Sequence, residues 1–315
     1  MKPNFKCAGI LPLIRRGVSA IALAAVTFTA DASLDVVTTT ADLAALVKAV
    51  GGDRVKVTAL AKPTEDPHFV DPKPSYIVRL NRADLLVESG AELEDSWLRP
   101  LLQGERNAAL LTGGEGRVQA AAGIELIDVP DALDRSKGDL HAAGNPHFLM
   151  DPFKARMAAQ SISEAMARLD PGSADYYRAN FVRFGELLDR RLEVWQKRLE
   201  PHRGRRLVAY HNIWPYFGRR FGLRIDLFLE PKPGIPPTPA SLSDVVAEMN
   251  RDNIRLILVE PFQPRRVAER VAARTQAEVV DLTQYPGGMK GTEGGYLELM
   301  DYLIETLAAA LDKTQ

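Results

Sequence analysis

From Gly172 to Glu200 the chain runs without a proline and with one internal glycine, Gly185, and this stretch limits the fold more than any other. Tyr177, Phe181, Phe184, Leu188, Leu192, Trp195 and Leu199 recur at spacings of three and four, so a helix would align them as one apolar stripe. Asp170-Pro171 ahead of it and Pro201 behind it are start and stop signals. At about 1.5 Å per residue the helix would be roughly 40 Å long, enough to brace two bodies rather than hinge them loosely.

On either side, strand-like and helix-like patterns alternate. The first set of expected strands is Asp35-Thr40, Val55-Leu60, Asp84-Glu88 and Ile124-Val129, with helices such as Ala41-Val50 and Lys73-Asn81 between them. The second set is Arg206-Tyr210, Arg224-Leu229, Arg255-Glu260 and Glu278-Leu282, separated by amphipathic runs at Ser241-Arg251 and Pro264-Thr275. Alternation of this kind implies parallel sheets with right-handed crossovers. The expected fold class is therefore α/β, with two lobes that each hold a parallel four-stranded sheet and flanking helices, joined by one long rigid helix. The lobes are expected at 33–171 and 202–315, with the linking helix at 172–201; two domains suit a chain of 315 residues. Gly113-Gly123, Pro130-Gly144 and the proline-rich Pro231-Pro239 read as the least regular segments.

Lys2, Lys6, Arg15 and Arg16 precede an apolar run from Gly17 to Ala30 and the small-x-small triplet Ala30-Asp31-Ala32, which reads as a signal peptide over 1–32 and points to the periplasm. The run is too short to span a bilayer, and no second one approaches that length, so direct membrane insertion is not expected. The one cysteine, Cys7, lies inside this segment, where no lipoprotein pattern surrounds it. Lys and Arg total 40 against 41 Asp and Glu, without long blocks of either sign, which gives no electrostatic case for nucleic acid.

Three of the five histidines lie beside aromatic side chains: His68 in Asp66-Pro67-His68-Phe69, His147 in Asn145-Pro146-His147-Phe148, and His211 in Tyr210-His211-Asn212-Ile213-Trp214. Neutral imidazole is the commonest protein ligand for a borderline-soft metal, and three make a zinc-type set. Their separations forbid one helix or loop from supplying all three, so they meet only in a folded cleft. His68 and His211 follow expected strand ends, where ligands of parallel sheets gather. Glu260 and Asp281 also stand at or near strand ends. His202, at the helix stop Pro201-His202-Arg203-Gly204, reads as a surface residue. His141, six residues before His147, reads as a solvated loop residue, with an auxiliary metal role as the alternative.

Taken in order, Thr38-Thr39-Thr40-Ala41-Asp42-Leu43, Asp66-Pro67-His68-Phe69, Asn81-Arg82-Ala83-Asp84-Leu85, Gly90-Ala91-Glu92-Leu93-Glu94, Asn145-Pro146-His147 with Asp151-Pro152, Tyr210-His211 with Phe221-Gly222-Leu223, and Val259-Glu260-Pro261 are similar to successive motifs of a known family. The chain resembles the metal-ion family of periplasmic substrate-binding proteins that serve zinc and manganese ABC importers. The resemblance implies two α/β lobes on a rigid helix. It also implies metal-ligand roles for His68, His147 and His211, with histidine at the third position being closer to the zinc-type members. The fourth ligand in that family is often an acid some two dozen residues beyond the Glu-Pro motif, a count that lands near Thr283. Asp281 would share a strand face with it and is the expected substitute, with Glu65, Glu260 or water as alternatives. The acidic, histidine-rich loop of many zinc-type relatives is missing here.

The expected function is capture of Zn2+ as a transported ligand, with Mn2+ second because it prefers more oxygen donors, and delivery to an inner-membrane ABC permease. A monomer without enzymatic activity is expected. The rival reading is a zinc-dependent hydrolase, since three histidines and water also describe a catalytic centre; no His-Glu-x-x-His motif supports it.

Overall fold

Two four-stranded sheets, every pairing parallel, share one topology: β2-β1-β3-β4 and β6-β5-β7-β8. They come from a computed structural model that describes residues 1, 3–4, 33–104, 106–130, 141–231 and 234–314. Most of the expected signal peptide, and part of the loop before His141, lie outside the described residues. The first sheet holds β1 (Leu34–Thr38), β2 (Val55–Ala59), β3 (Leu85–Glu88) and β4 (Arg117–Gln119), with α1 (Ala41–Gly51), α2 (Pro74–Leu80) and α3 (Asp95–Gly104) between them. Then come α4 (Pro152–Leu169) and α5 (Ala174–Leu199). The second sheet holds β5 (Arg206–Ala209), β6 (Arg224–Phe228), β7 (Leu256–Val259) and β8 (Glu278–Asp281), with α6 (Pro215–Phe221), α7 (Pro239–Arg251), α8 (Arg265–Thr275) and the closing α9 (Tyr296–Lys313).

Strand side chains alternate between faces, and the core follows that alternation. Val36, Leu85 and Val87 face one core while Val37 and Leu86 face another, under α2 and α3. In the second sheet Leu207, Ala209, Leu256 and Leu258 face inward, whereas Val208, Ile257 and Val259 face α7 and α8. The inner faces of both sheets belong to a single cluster that also takes in α1, α4, α5 and α9. The two halves are thus welded through a shared core.

The helix α5 has 26 residues, about 39 Å at 1.5 Å each. Its stripe is buried as expected at Tyr177, Phe184, Leu188, Trp195 and Leu199, with Phe181 and Leu192 packed at the margin. Gly185 allows α4 to lie close: a Cβ there would stand 3.3 Å from the Arg156 guanidinium, which reaches across to Asp189 at 2.9 Å. Toward α9, Trp195 Nε1 donates to Asp301 Oδ1 at 2.7 Å, and Arg198 pairs with Asp312 at 2.8 Å. His202 is buried, not on the surface. It is only 1% exposed, because the 3-10 turn that ends α5 tucks it under α9, with Nε2 3.0 Å from Asp312 Oδ1.

One expected strand is also corrected. The fourth strand is Arg117–Gln119, paired with β3 through Val87 and Val118, and it lies inside the segment read as irregular. With three residues and one buried side chain it carries no readable alternation; Arg117 is fixed instead by Glu88, at 2.9 and 3.0 Å. Ile124–Val129 is a connector that ties the two halves: Ile127 N donates to Tyr216 Oη of the second half at 3.0 Å, and Ile127 O accepts from Asn145 N of its own half at 2.7 Å. Among the described residues no helix is long and apolar enough to cross a membrane.

Candidate metal centre

His68, His147 and His211 meet. Their ring centroids are 5.3, 5.4 and 5.5 Å apart pairwise, the rings inclined at 63° to 88°, and one nitrogen from each lies within 4.8 Å of the other two. His68 is presented by the loop after β2. Its backbone N and its Nδ1 both donate to Asp66, at 3.0 and 2.8 Å, while Ser96 and Trp97 at the start of α3 clamp the carbonyls of His68 and Pro67. His147 opens the 3-10 turn before α4, whose N-cap is Asp151, itself held by Arg220 at 2.7 and 2.8 Å. Asn145 supports two histidine loops at once: Oδ1 accepts from His147 N at 2.9 Å, and Nδ2 donates to Asn212 O at 2.9 Å. His211 stands two residues past the end of β5, where the chain leaves the sheet between β6 and β7.

Each ring has its Nδ1 tied to an oxygen acceptor: Asp66 for His68, Gln284 at 3.1 Å for His147, and Glu230 for His211. A donating Nδ1–H fixes the tautomer that leaves Nε2 as a lone-pair donor and holds the ring's orientation. The Nε2 atoms of His68 and His147 are buried and have no hydrogen-bond partner. Burial, then the neighbouring His68, His211 and His141, holds His147 well below the usual histidine range, so it stays neutral and able to ligate.

The carboxylates are arranged otherwise than expected. Asp281 ends β8 with its two oxygens 2.9 and 3.1 Å from Arg265 Nε, its side chain 42% exposed, and it does not join the histidine group. Strand alternation aims it outward at α8. Glu65 closes a local turn, accepting from Lys62 N at 3.0 Å. Glu260 is buried, with Oε2 accepting from Gln284 N at 3.0 Å and Oε1 without a hydrogen-bond partner; burial pushes it up to about 8. His141, read as solvated, has its ring 5.3 Å from that of His68 and its Nε2 buried. Burial, then His68 and His211, push it down to about 3.

Glu230 and Gln284 escaped the sequence reading because neither is near a histidine in the chain. Both nevertheless lie just past the carboxyl ends of strands, β6 and β8, and that position was the available signal. The cavity beside His68 and His211, lined also by Asp66, Glu230, Phe262 and Pro236, holds about 200 Å3, below the usual size of an organic-ligand pocket. A larger cavity of about 510 Å3 opens among α1, α5 and the start of α9, and none of its lining residues is a histidine.

The chain matches known proteins over almost its whole described length. The manganese ABC transporter substrate-binding lipoprotein PsaA of Streptococcus anginosus is 21% identical over 292 residues, 90% of this chain and 91% of that protein. A crystal structure of ZnuA superposes with a TM-score of 0.75 at 24% identity, covering 88% of this chain and 99% of that one. FpvC from Pseudomonas aeruginosa, solved in complex with Mn2+, gives 0.74 at 20% identity, covering 90% and 100%. The profile of the family described as ZnuA, zinc-uptake complex component A, periplasmic, matches residues 36–310, and to that family of metal-binding substrate-binding proteins of ABC transporters this chain belongs.

Proposed function

We propose that the protein captures Zn2+ between its two halves, through His68, His147 and His211, and hands it to an ABC permease of the inner membrane. The observation that carries this reading is the convergence of three imidazoles whose Nδ1 atoms are all engaged, which leaves three nitrogen donors aimed at one point. A nitrogen set suits zinc; manganese prefers carboxylate, carbonyl and water. The nearest carboxylates, Asp66 and Glu230, are spent on the outer nitrogens of the rings, where they balance charge without entering the shell. Relatives named for manganese keep that ion as the competitor to be tested.

A non-enzymatic role fits the same features. Glu65 and Asp281 are tied to Lys62 and Arg265, and the cavity is small for a substrate that must be positioned and cleaved. The signal-peptide reading of residues 1–32 suits a periplasmic location. The experiment is calorimetric titration of the metal-free protein with Zn2+ and with Mn2+. One-to-one zinc binding at least about tenfold tighter than manganese supports the reading, and tighter manganese overturns it.

A further inference from the structure

We infer that His141 is a fourth nitrogen donor to the captured ion, so that the loaded centre is a four-imidazole shell; this rests on the proposed reading of the other three histidines as ligands. Zinc bound by protein side chains is almost always four-coordinate and tetrahedral when the site is closed. Of the acids that a sequence reading offers for the fourth position, Asp281 is engaged with Arg265 and Glu65 with Lys62, and Glu260, whose Oε2 accepts from Gln284 N, does not join the histidine group. His141 stands beside the group. Its ring centroid is 5.3 Å from that of His68, matching the 5.3 and 5.4 Å that separate His68 from His147 and His211.

Its Nε2 shares the condition of the two buried donors. It is shielded from solvent and has no hydrogen-bond partner, as are the Nε2 atoms of His68 and His147. Imidazole nitrogen left this way is costly unless something binds it. The segment that carries His141 is fixed rather than merely adjacent. His141 O accepts from Gly144 N at 3.1 Å, and Ala142 N donates to Glu92, which sits in a tight turn where both Ala91 and Glu92 have positive φ, 53° and 66°. Gly144 itself has φ 111°, and a Cβ there would lie 2.7 Å from Ile127 O, so glycine is what lets this segment fold back against the connector.

His141 does not belong to the group whose donor atoms all lie within 4.8 Å of one another. It flanks the triad on the His68 side and reaches the ion by turning its own side chain. A shell of four nitrogens also leaves no oxygen position for manganese to prefer.

The test is zinc K-edge X-ray absorption on the full protein loaded with one equivalent of Zn2+, for wild type, His141→Ala, His141→Gln and His68→Ala, with competition titrations against a zinc chelator. Expected for wild type are four imidazole nitrogens at about 2.0–2.1 Å. The two His141 variants should show three imidazoles and one oxygen neighbour, keep one-to-one stoichiometry, and bind at least about 10-fold more weakly, the lower bound for losing even an outer partner. Their metal-free melting curves should stay cooperative. A wild-type spectrum of three imidazoles and an oxygen, or His141 variants equal to wild type in spectrum and affinity, would overturn the fourth-donor role alone, provided His68→Ala has lost binding. If His68→Ala also binds like wild type, the three-histidine reading falls, and this inference with it.

Discussion

The two sheets have the same strand order but serve the histidine cluster by different means. In the second half, His211 follows β5 without an intervening residue beyond Tyr210, and its partner Glu230 stands just past β6. Gln284, just past β8, orients His147 from across the molecule. Strand ends aim these side chains, and the sheet supplies their rigidity. In the first half no donor sits at a strand end. His68 and His147 ride on long loops, and each loop is pinned by separate hydrogen bonds, from Ser96 and Trp97 in one case and from Asn145 and Tyr216 in the other. A loop donor needs anchors of its own, whereas a strand-end donor inherits them. The two halves also lean on each other, since His147 takes both its Nδ1 partner and part of its loop support from the second half.

The largest expected effect tests whether the halves are separable at all. Because one core cluster takes in both inner sheet faces and α5, unfolding of residues 33–315 should be a single transition. Trp195, 2% exposed on α5 and bonded to Asp301 of α9, belongs to that cluster. Trp195→Ala should cost about 3–5 kcal/mol in a urea titration while leaving the transition single. Two resolved transitions would mean that the halves fold independently.

Next come the three proposed ligands. His68→Ala, His147→Ala and His211→Ala should each weaken zinc by more than about 100-fold in chelator competition, exceeding the range for an outer partner. If the contrast between loop and strand-end donors is real, the first two losses should be accompanied by increased loop exchange in hydrogen-exchange measurements of the metal-free protein. His211→Ala should leave its β5 surroundings protected.

A smaller effect belongs to the atoms behind the rings. Gln284→Leu removes the acceptor that crosses between halves, and Asp66→Leu removes a local one. Each should lower zinc affinity about 10- to 100-fold. Only the Gln284 change should couple to His147 without touching His147's own loop, so a double-mutant cycle between them should give a non-zero interaction. Strict additivity would remove the argument that the second half orients a first-half donor.

What could be read from the chain follows the same division. The parallel sheets and α5 were legible because periodicity is local: seven of the eight strands and the stripe of α5 repeat within a short window. The triad was legible from the Pro-His-aromatic frames and from the strand-end rule. What escaped was set by pairing at long range. β4 exists because β3 offers it an edge, His202 is buried because α9 returns over it, and Asp281 points to Arg265 because α8 lies on that side. Gln284 stands one residue past the place where the family's fourth ligand was counted, but as an amide it carried no metal signal.

The smallest expected effect uses a matched pair. Glu94, in the loop after β3, and Glu260, directly after β7, follow equivalent strands of the two sheets, and burial pushes each up to about 8. Burial thus favours the protonated form of each in the folded protein at pH 7, whereas the unfolded chain, with the usual value of 4.5, is ionised. Between about pH 6.5 and 8 the folded state binds the extra proton, so stability of the metal-free protein falls as pH rises, by at most about 1.4 kcal/mol per unit for each group. His147, held below its usual range, acts only under about pH 6.5 and with the opposite sign, since there the unfolded chain takes the proton. Melting curves across pH 6.5 to 8 should therefore slope downward, and Glu94→Gln or Glu260→Gln should each remove about half of the slope. Their costs should differ. Glu94 accepts from Thr39, Ser89 and Gly90, so an amide would set two N–H donors among donors where the protonated carboxyl sets one O–H, whereas Glu260 accepts from Gln284 N through Oε2 and leaves Oε1 free to become an NH2. Glu260→Gln should be the milder change at pH 6.5, and a flat wild-type profile would show that neither glutamate is held protonated.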